Sequence, residues 1–316
     1  MPFRSERAIG PTFRSAMATL LCFGLGYTAK HFIASYHDRF DRVFATVRSD
    51  RRAAEFNASD RPLLTAIEFD GKSSSSSIRA AIADADDVLV SVPPDATGDI
   101  VLAACGDALS RASHLSSVVY LSSTGVYGNH EGAWVDEESE CRSGAERGLA
   151  RRAAEQAWQD FGVRAGVPVA ILRLAAIYGP CRNALVSLKR GVARRIAKPG
   201  QVFNRIHVAD IARTIDAVFK RRAEGIFNIA DDEPTPPGDP IAFAARLLGV
   251  EQPPEIPFSE AQSSVNPSAL SFYADIKRTK NTKLKSVLGV TLQFPTYREG
   301  LVALHRDCAS AKNCSA

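Results

Sequence analysis

Gly24, Gly26 and Ala29 form a G-x-G-x-x-A run, Gly24-Leu25-Gly26-Tyr27-Thr28-Ala29, at the junction of an apolar stretch and an amphipathic one. Between a strand and a helix, such a run suits the diphosphate of a dinucleotide. The first glycine permits the tight turn, the second lets backbone approach the ligand, the small third residue lets the helix pack closely, and the helix start offers unpaired N–H groups and partial positive charge. Leu25, Tyr27 and Thr28 supply the remaining backbone of that contact. Arg48 stands where the next strand should end, the position from which an NAD enzyme usually offers an acid to the adenosine ribose. A guanidinium suits a 2′-phosphate through two parallel charge-assisted bonds, and Arg51 and Arg52 stand close by, so the expected cofactor is NADP, with Asp50 keeping NAD open. A solvated strand-end arginine is the competing reading. Asp70, Val92 and Pro93 fall at the ends of later strands on the same edge, where each could touch the dinucleotide or serve only its own turn.

Positioning these residues requires alternating strands and helices. Short runs rich in Val, Ile and Leu predict strands at about 18–23, 42–48, 64–69, 87–92, 117–122 and 168–174. Helices are expected to begin near Tyr27, Asp50, Ser76, Gly98 and Ala145, the last carrying Ala153, Ala154, Ala157, Trp158 and Phe161 on one face. The fold class is α/β, a doubly wound parallel sheet of Rossmann type with a smaller C-terminal lobe. Beyond Gly179-Pro180 the pattern predicts a helix near 184–196, a strand near 202–208, a helix from Asp210 to about Arg222 and a strand at 225–229, with the strand and helix near 202–230 packing back on the core. A turn-dense break at 231–238 precedes a helix near 240–248 and an amphipathic segment, 297–305, read as a lid. Domain limits follow as 17–180 for the dinucleotide unit and 181–316 for the substrate lobe, with 1–16 a disordered extension or a misassigned start ahead of Met17.

Composition narrows the function classes. The chain has 316 residues, 45% hydrophobic and 23% charged, with a net charge of +4 whose cations are interspersed with acids, so no nucleic-acid stripe is read. A small-molecule substrate fits better. No apolar run approaches the ~20 residues of a membrane span. The stretch 18–23 behind Arg4, Arg7 and Arg14 imitates a signal peptide but runs directly into the glycine turn with no cleavage site between. The six cysteines show no C-x-x-C pair and no zinc spacing with histidine, which predicts reduced thiols, a cytoplasmic protein and no metal.

Four segments together resemble the extended and atypical short-chain dehydrogenase/reductases, also called NAD-dependent epimerase/dehydratases. They are Phe23 to Ala29, Tyr120-Leu121-Ser122-Ser123-Thr124-Gly125-Val126-Tyr127-Gly128, Leu172-Arg173-Leu174-Ala175-Ala176-Ile177-Tyr178-Gly179-Pro180, and Arg205-Ile206-His207-Val208-Ala209-Asp210-Ile211-Ala212. The likeness spans about 19–230. It implies that Ser123, with Thr124 beside it, holds a substrate carbonyl, and that Ser122 and Tyr178 flank the cofactor; hydroxyls capping a strand end are the plainer alternative. The family's Y-x-x-x-K pair, aligned through Ala153-Ala154-Glu155, falls on Arg147 and Arg151. No tyrosine lies between Tyr127 and Tyr178 and no lysine between Lys72 and Lys189, so no shift of alignment restores the pair. Arginine stays protonated above pH ~12, so Arg147 cannot exchange a proton as tyrosine does, whereas Arg151 could still donate to a ribose. Phe23 also replaces the first glycine of the extended family's G-x-x-G-x-x-G.

The resemblance therefore points to the atypical branch. The expected activity is that of an NAD(P)-dependent oxidoreductase or epimerase-like enzyme acting on a small carbonyl or hydroxyl compound. A non-catalytic NADP-binding sensor is the alternative, and a nucleotide-sugar epimerase or dehydratase a weaker one. Tyr127, His130, Tyr178 and His207 are the groups left to supply a proton, although the tyrosines are expected to satisfy their hydroxyls locally and Asp210 to cap the following helix. Arg182 and Lys189 either attract an acidic substrate or simply solubilise the surface. A homodimer through the long helix is common in the family, although Arg151 and Arg152 could leave that face solvated.

Overall fold

The six strands expected over 18–174 and the one at 225–229 lie in one parallel sheet, whereas the strand expected near 202–208 is the short Arg205–His207, which lies in a separate two-stranded sheet. The computed structural model of the protein describes residues 18–58, 63–262 and 270–310, so the expected N-terminal extension, 1–16, lies outside the described residues. The sheet strands are β1 (Ala18–Phe23), β2 (Phe40–Val47), β3 (Leu64–Glu68), β4 (Asp87–Val90), β5 (Ser117–Ser123), β7 (Val169–Leu174) and β11 (Gly225–Ile229). Their spatial order is β11-β7-β5-β4-β1-β2-β3, every neighbouring pair parallel. Gly225–Ile229, expected to pack back on the core, is thus the seventh strand of the sheet itself.

Alternation explains the layering. In β1, Leu20 and Cys22 enter one core with Phe32, Ile211 and Ile215, while Leu21 and Phe23 enter the other with Ile78, Val101 and Trp158. Both faces are covered, which is why these strands read as unbroken apolar runs. The first layer comprises α1 (Tyr27–Tyr36) and α7 (Val208–Arg221); the second comprises α3 (Ser76–Asp84), α4 (Ile100–Ser110) and α5 (Glu146–Ala165). Helix α2 (Asp50–Asn57) packs on β3 at the sheet edge. The buried face of α5 differs from the expected one: Ala153 is exposed, and Glu155 goes inward with Ala154, Trp158 and Phe161.

Outside the main sheet the strands are short pieces. β8 (Ala176–Tyr178) pairs with β10 (Arg205–His207), β9 (Arg195–Ala197) with β12 (Glu255–Pro257), and β6 (Trp134–Val135) with β13 (Arg278–Thr279). The helix expected over 184–196 ends early: α6 is Ala184–Lys189, and Gly191 at φ +67 turns the chain out of the helix towards β9. Helix α8 (Asp239–Leu248), the one-turn α9 (Phe258–Ala261), α10 (Thr282–Ser286) and α11 (Tyr297–Ser310) follow β11 in the chain. The expected lid segment is this α11, and its Tyr297, Leu301 and Leu304 bury against Tyr178, Leu185 and Ala244.

At the opposite, amino edge of the sheet, Asp87 is buried at the start of β4. Burial pushes its carboxyl up to about 7 against the attraction of Arg39. Because this folded value lies above the ~3.9 of an unfolded aspartate, its contribution to stability is intact at low pH and is lost as pH rises through about 7. Asp87→Asn should therefore gain stability relative to the unchanged protein between pH 5 and pH 8. Urea midpoints at those two pH values measure it, and an unchanged difference contradicts it.

Candidate functional site

Strand order reverses beside β1, between β4 and β2, which opens a crevice at the carboxyl ends of these strands. The glycine turn lies there. Gly24 has φ +93, and a Cβ on it would sit 2.7 Å from Val92 Cγ1 and 3.2 Å from Val92 N. Only glycine fits that conformation and that gap. The turn is held by β2: Gly24 N–H donates to Thr46 Oγ1 at 2.9 Å and Leu25 N–H to the Thr46 carbonyl at 3.0 Å. Gly26 is exposed, and the nearest atom to a Cβ there is Ser91 Oγ at 3.9 Å. Helix α1 then begins at Tyr27 with no side-chain cap and no acid in its first turn, so its opening amides remain available. Thr28 and Ala29 are buried behind it. A cradle that a side chain would fill, facing an uncapped helix, fits a dinucleotide diphosphate.

Arg48 follows β2 and is exposed, with no ion pair or hydrogen bond among the described residues. Arg51 instead pairs with Glu55 along α2 at 3.7 Å. Acids share this edge: the Glu68 carboxyl is raised first by loss of solvation and then by Asp50 and Asp70. Asp70 closes its own turn by accepting from the Lys72 and Ser73 amides, which lowers its pKa. Val92 walls the Gly24 cradle, while Pro93 is exposed one residue beyond.

The serine segment divides its hydroxyls. Ser122 is buried and donates to the Glu155 carboxylate, so its side chain turns inward rather than to the cofactor edge. Ser123, half-buried at the end of β5, accepts the Gly125 N–H at 3.1 Å and keeps its own proton available to a ligand. Thr124 is buried, its hydroxyl 3.4 Å from the Leu174 carbonyl. On α5, Arg151 donates to the Leu121 carbonyl at 3.2 Å, beside the serines, and Arg147 lies over the Phe272 ring at 5.7 Å.

Beneath this surface runs a polar network that sequence reading missed. Glu155 is 2% exposed and Arg173 4%. Arg173 donates to both Glu155 oxygens, with Nη2 to Oε2 at 2.8 Å, and Nη1 reaches the Tyr127 hydroxyl at 2.9 Å. Tyr127 donates onward to Asn228 Oδ1 at 2.7 Å. Burial outweighs the arginine's pull and pushes the phenol up to about 12. The expected local satisfaction of the tyrosines is therefore incorrect: these partners lie on β7 and β11, and Tyr127 is sealed from the crevice. Tyr178 likewise reaches the distant Thr296 carbonyl at 3.3 Å. A partial signal for the network did exist: Arg173 lies inside an apolar strand, where a guanidinium needs a buried acid as its partner.

Asp210 does not cap α7. His207 does, its Nδ1 accepting the Ala209 N–H at 3.1 Å, and burial lowers that imidazole to about 4. Asp210 instead accepts the Gln293 and Phe294 amides, joining α7 to the chain entering α11. His130 contacts the Glu140 carbonyl at 3.1 Å. Lys277, which the sequence did not single out, is buried beside the serine turn: its Nζ donates to the Gly128 carbonyl at 3.1 Å and lies 3.7 Å from Asp275. Burial lowers its pKa.

Comparison with known proteins agrees with this geometry. The model of the NAD dependent epimerase/dehydratase family matches residues 99–230. A functionally unknown conserved protein from Silicibacter pomeroyi is 42% identical, with 92% of this chain and 99% of that one covered and a TM-score of 0.82. The dTDP-glucose 4,6-dehydratase from Bacillus anthracis, solved in complex with NAD, shares the fold at 14% identity, 93% and 97% coverage and a TM-score of 0.72. A 3-diazoavenalumate denitrifying reductase from Streptomyces sp. is 26% identical over 138 residues, which is 42% of this chain and under half, 45%, of that protein. The matched segment runs from the residue before α4 to the residue after β11, less than half of the chain, and over it the chain is similar to the NAD dependent epimerase/dehydratase family.

Proposed function

We propose that the protein is an NAD(P)-dependent oxidoreductase or epimerase-like enzyme of the atypical branch, acting on a small carbonyl or hydroxyl compound, with NADP preferred. The observation that carries this reading is the cradle at Gly24, which faces the uncapped start of α1 in the same crevice as Ser123. When bound, the nicotinamide supplies or accepts hydride. The residues of the chain bind and orient. Backbone at Gly24 to Thr28 receives the diphosphate, Arg48 meets a 2′-phosphate, and Ser123, pinned by the Gly125 amide, presents its O–H to the substrate oxygen. Arg151, anchored on Leu121, is within the same shell and donates to the nicotinamide ribose. The reductase name of the Streptomyces relative, which acts on a diazo compound, supports the reductive direction. Free thiols at Cys22, Cys105, Cys141 and Cys181 support a reducing compartment such as the cytoplasm.

Turnover of NADPH with a panel of small carbonyl compounds tests the enzyme, and Ser123→Ala should abolish whichever activity appears. Arg48→Ala should weaken NADPH about 10-fold or more, the worth of a charge-assisted contact, and NADH little. Equal losses for both cofactors would remove the NADP assignment. A second reading, a dinucleotide sensor without catalysis, is favoured by arginines at both positions of the proton relay. Tight NADPH binding with no oxidation across the panel selects it.

A further inference from the structure

The turn after β8 reaches across to the nucleotide cradle. Gly179 and Arg182 exchange backbone hydrogen bonds at 2.9 and 3.1 Å, and Asn183 Nδ2 holds the Gly179 carbonyl at 2.8 Å while its Oδ1 caps α6. Between them Cys181 adopts φ +60, a left-handed conformation that a side chain rarely takes. The turn is tied to the first residue of α1 by the Tyr27 hydroxyl, which donates to the Pro180 carbonyl at 2.9 Å. Gly179 has no room for a side chain, since a Cβ there would meet Tyr27 and Val208. The result is that the Arg182 guanidinium is stationed over the Tyr27 ring, 5.7 Å from its centroid.

That station is electrostatically odd. The start of α1 already carries positive charge from its open amides, and its first turn contains no acid. Arg182 adds a full positive charge and pairs with no carboxylate among the described residues. A strained, three-point-anchored turn that brings like charges together leaves an uncompensated positive field, and an anion is what such a field receives.

We propose that Arg182 is a cationic latch for the dinucleotide diphosphate, held by the Tyr27–Pro180 tie so that it closes over the ligand from the face opposite the α1 amides. This assignment rests on the dinucleotide reading above. The chain thereby grips one diphosphate from two separate parts of the fold: the turn after β1 and the turn after β8.

Titration of the full-length protein with NADPH, followed by nucleotide fluorescence at 50 and 200 mM salt, tests it. Arg182→Gln should raise Kd about 10-fold to 100-fold at the lower salt and flatten its salt dependence, and Arg182→Lys should restore part of the loss. Tyr27→Phe, which keeps the ring and loses the tie, should cost about 2-fold to 10-fold. Competition by ADP-ribose should show the same Arg182→Gln loss, and adenosine, which lacks the diphosphate, should show none. Equal NADPH affinity of the unchanged protein and a folded Arg182→Gln overturns the latch alone, as does a loss seen with NADPH and not with ADP-ribose. No binding by the unchanged protein overturns the dinucleotide reading and the latch with it.

Discussion

Glu155→Ala should lower the unfolding free energy by about 3–5 kcal/mol, because it strands the Arg173 guanidinium in the core with its main partner gone. Net stabilities of about 5–15 kcal/mol make that loss decisive for folding at 37 °C. The cause is desolvation rather than lost attraction: both side chains are buried, and Ser122, Tyr127 and Asn228 are arranged around them. Glu155→Gln keeps the volume and one acceptor, so a loss of about 1.5–3 kcal/mol is expected from the weaker hydrogen bonds. Replacing both partners by leucine should recover much of the deficit, since neither charge remains to be buried. Urea unfolding of the two single variants and the double variant closes the cycle. A single-variant loss under about 1 kcal/mol would mean that the pair is hydrated and the network is not what joins β5, α5, β7 and β11.

The second large effect separates backbone strain from ligand crowding. Gly24→Ala places a methyl group against Val92 at a backbone angle that alanine resists, so it should cost about 1–3 kcal/mol of stability and abolish dinucleotide binding. Gly26→Ala is the control. Its φ of −85 suits alanine and the nearest atom beyond its chain neighbours would be Ser91 Oγ at 3.9 Å, so stability should stay unchanged while the added methyl intrudes on the ligand. Thermal melts and NADPH titrations on the two variants read these outcomes independently. If Gly26→Ala binds as well as the unchanged protein, the ligand does not approach the backbone there.

The sheet was legible because its strands are buried on both faces and so write themselves as apolar runs, as Leu20 to Phe23 and Val169 to Leu172 do. The glycine turn was legible because a positive φ and a close approach leave one residue type acceptable. Other features carried no local mark. The two- and three-residue strands β6, β9, β12 and β13 are set by partners 58 to 146 positions away, as the bonds from Arg195 to Pro253 and from Arg278 to Gly132 illustrate. The role of Asp210 was misread for the same reason: an acid near a helix start suggests a cap, and only the fold reveals that Gln293 and Phe294 lie closer to its carboxylate. Ser122 and Ser123 look alike in sequence, yet strand alternation sends one hydroxyl inward to Glu155 and leaves the other at the rim.

Residues 276–280 hydrogen-bond along 128–135, and Asp210 fastens the approach to α11. The C-terminal part of the chain is thus stitched into the loop that follows Ser122 and Ser123. Proteolytic removal of that part would not release an autonomous nucleotide module. A disturbance of residues 276–280 would therefore be felt at the serine turn, because the two segments share one ladder of hydrogen bonds.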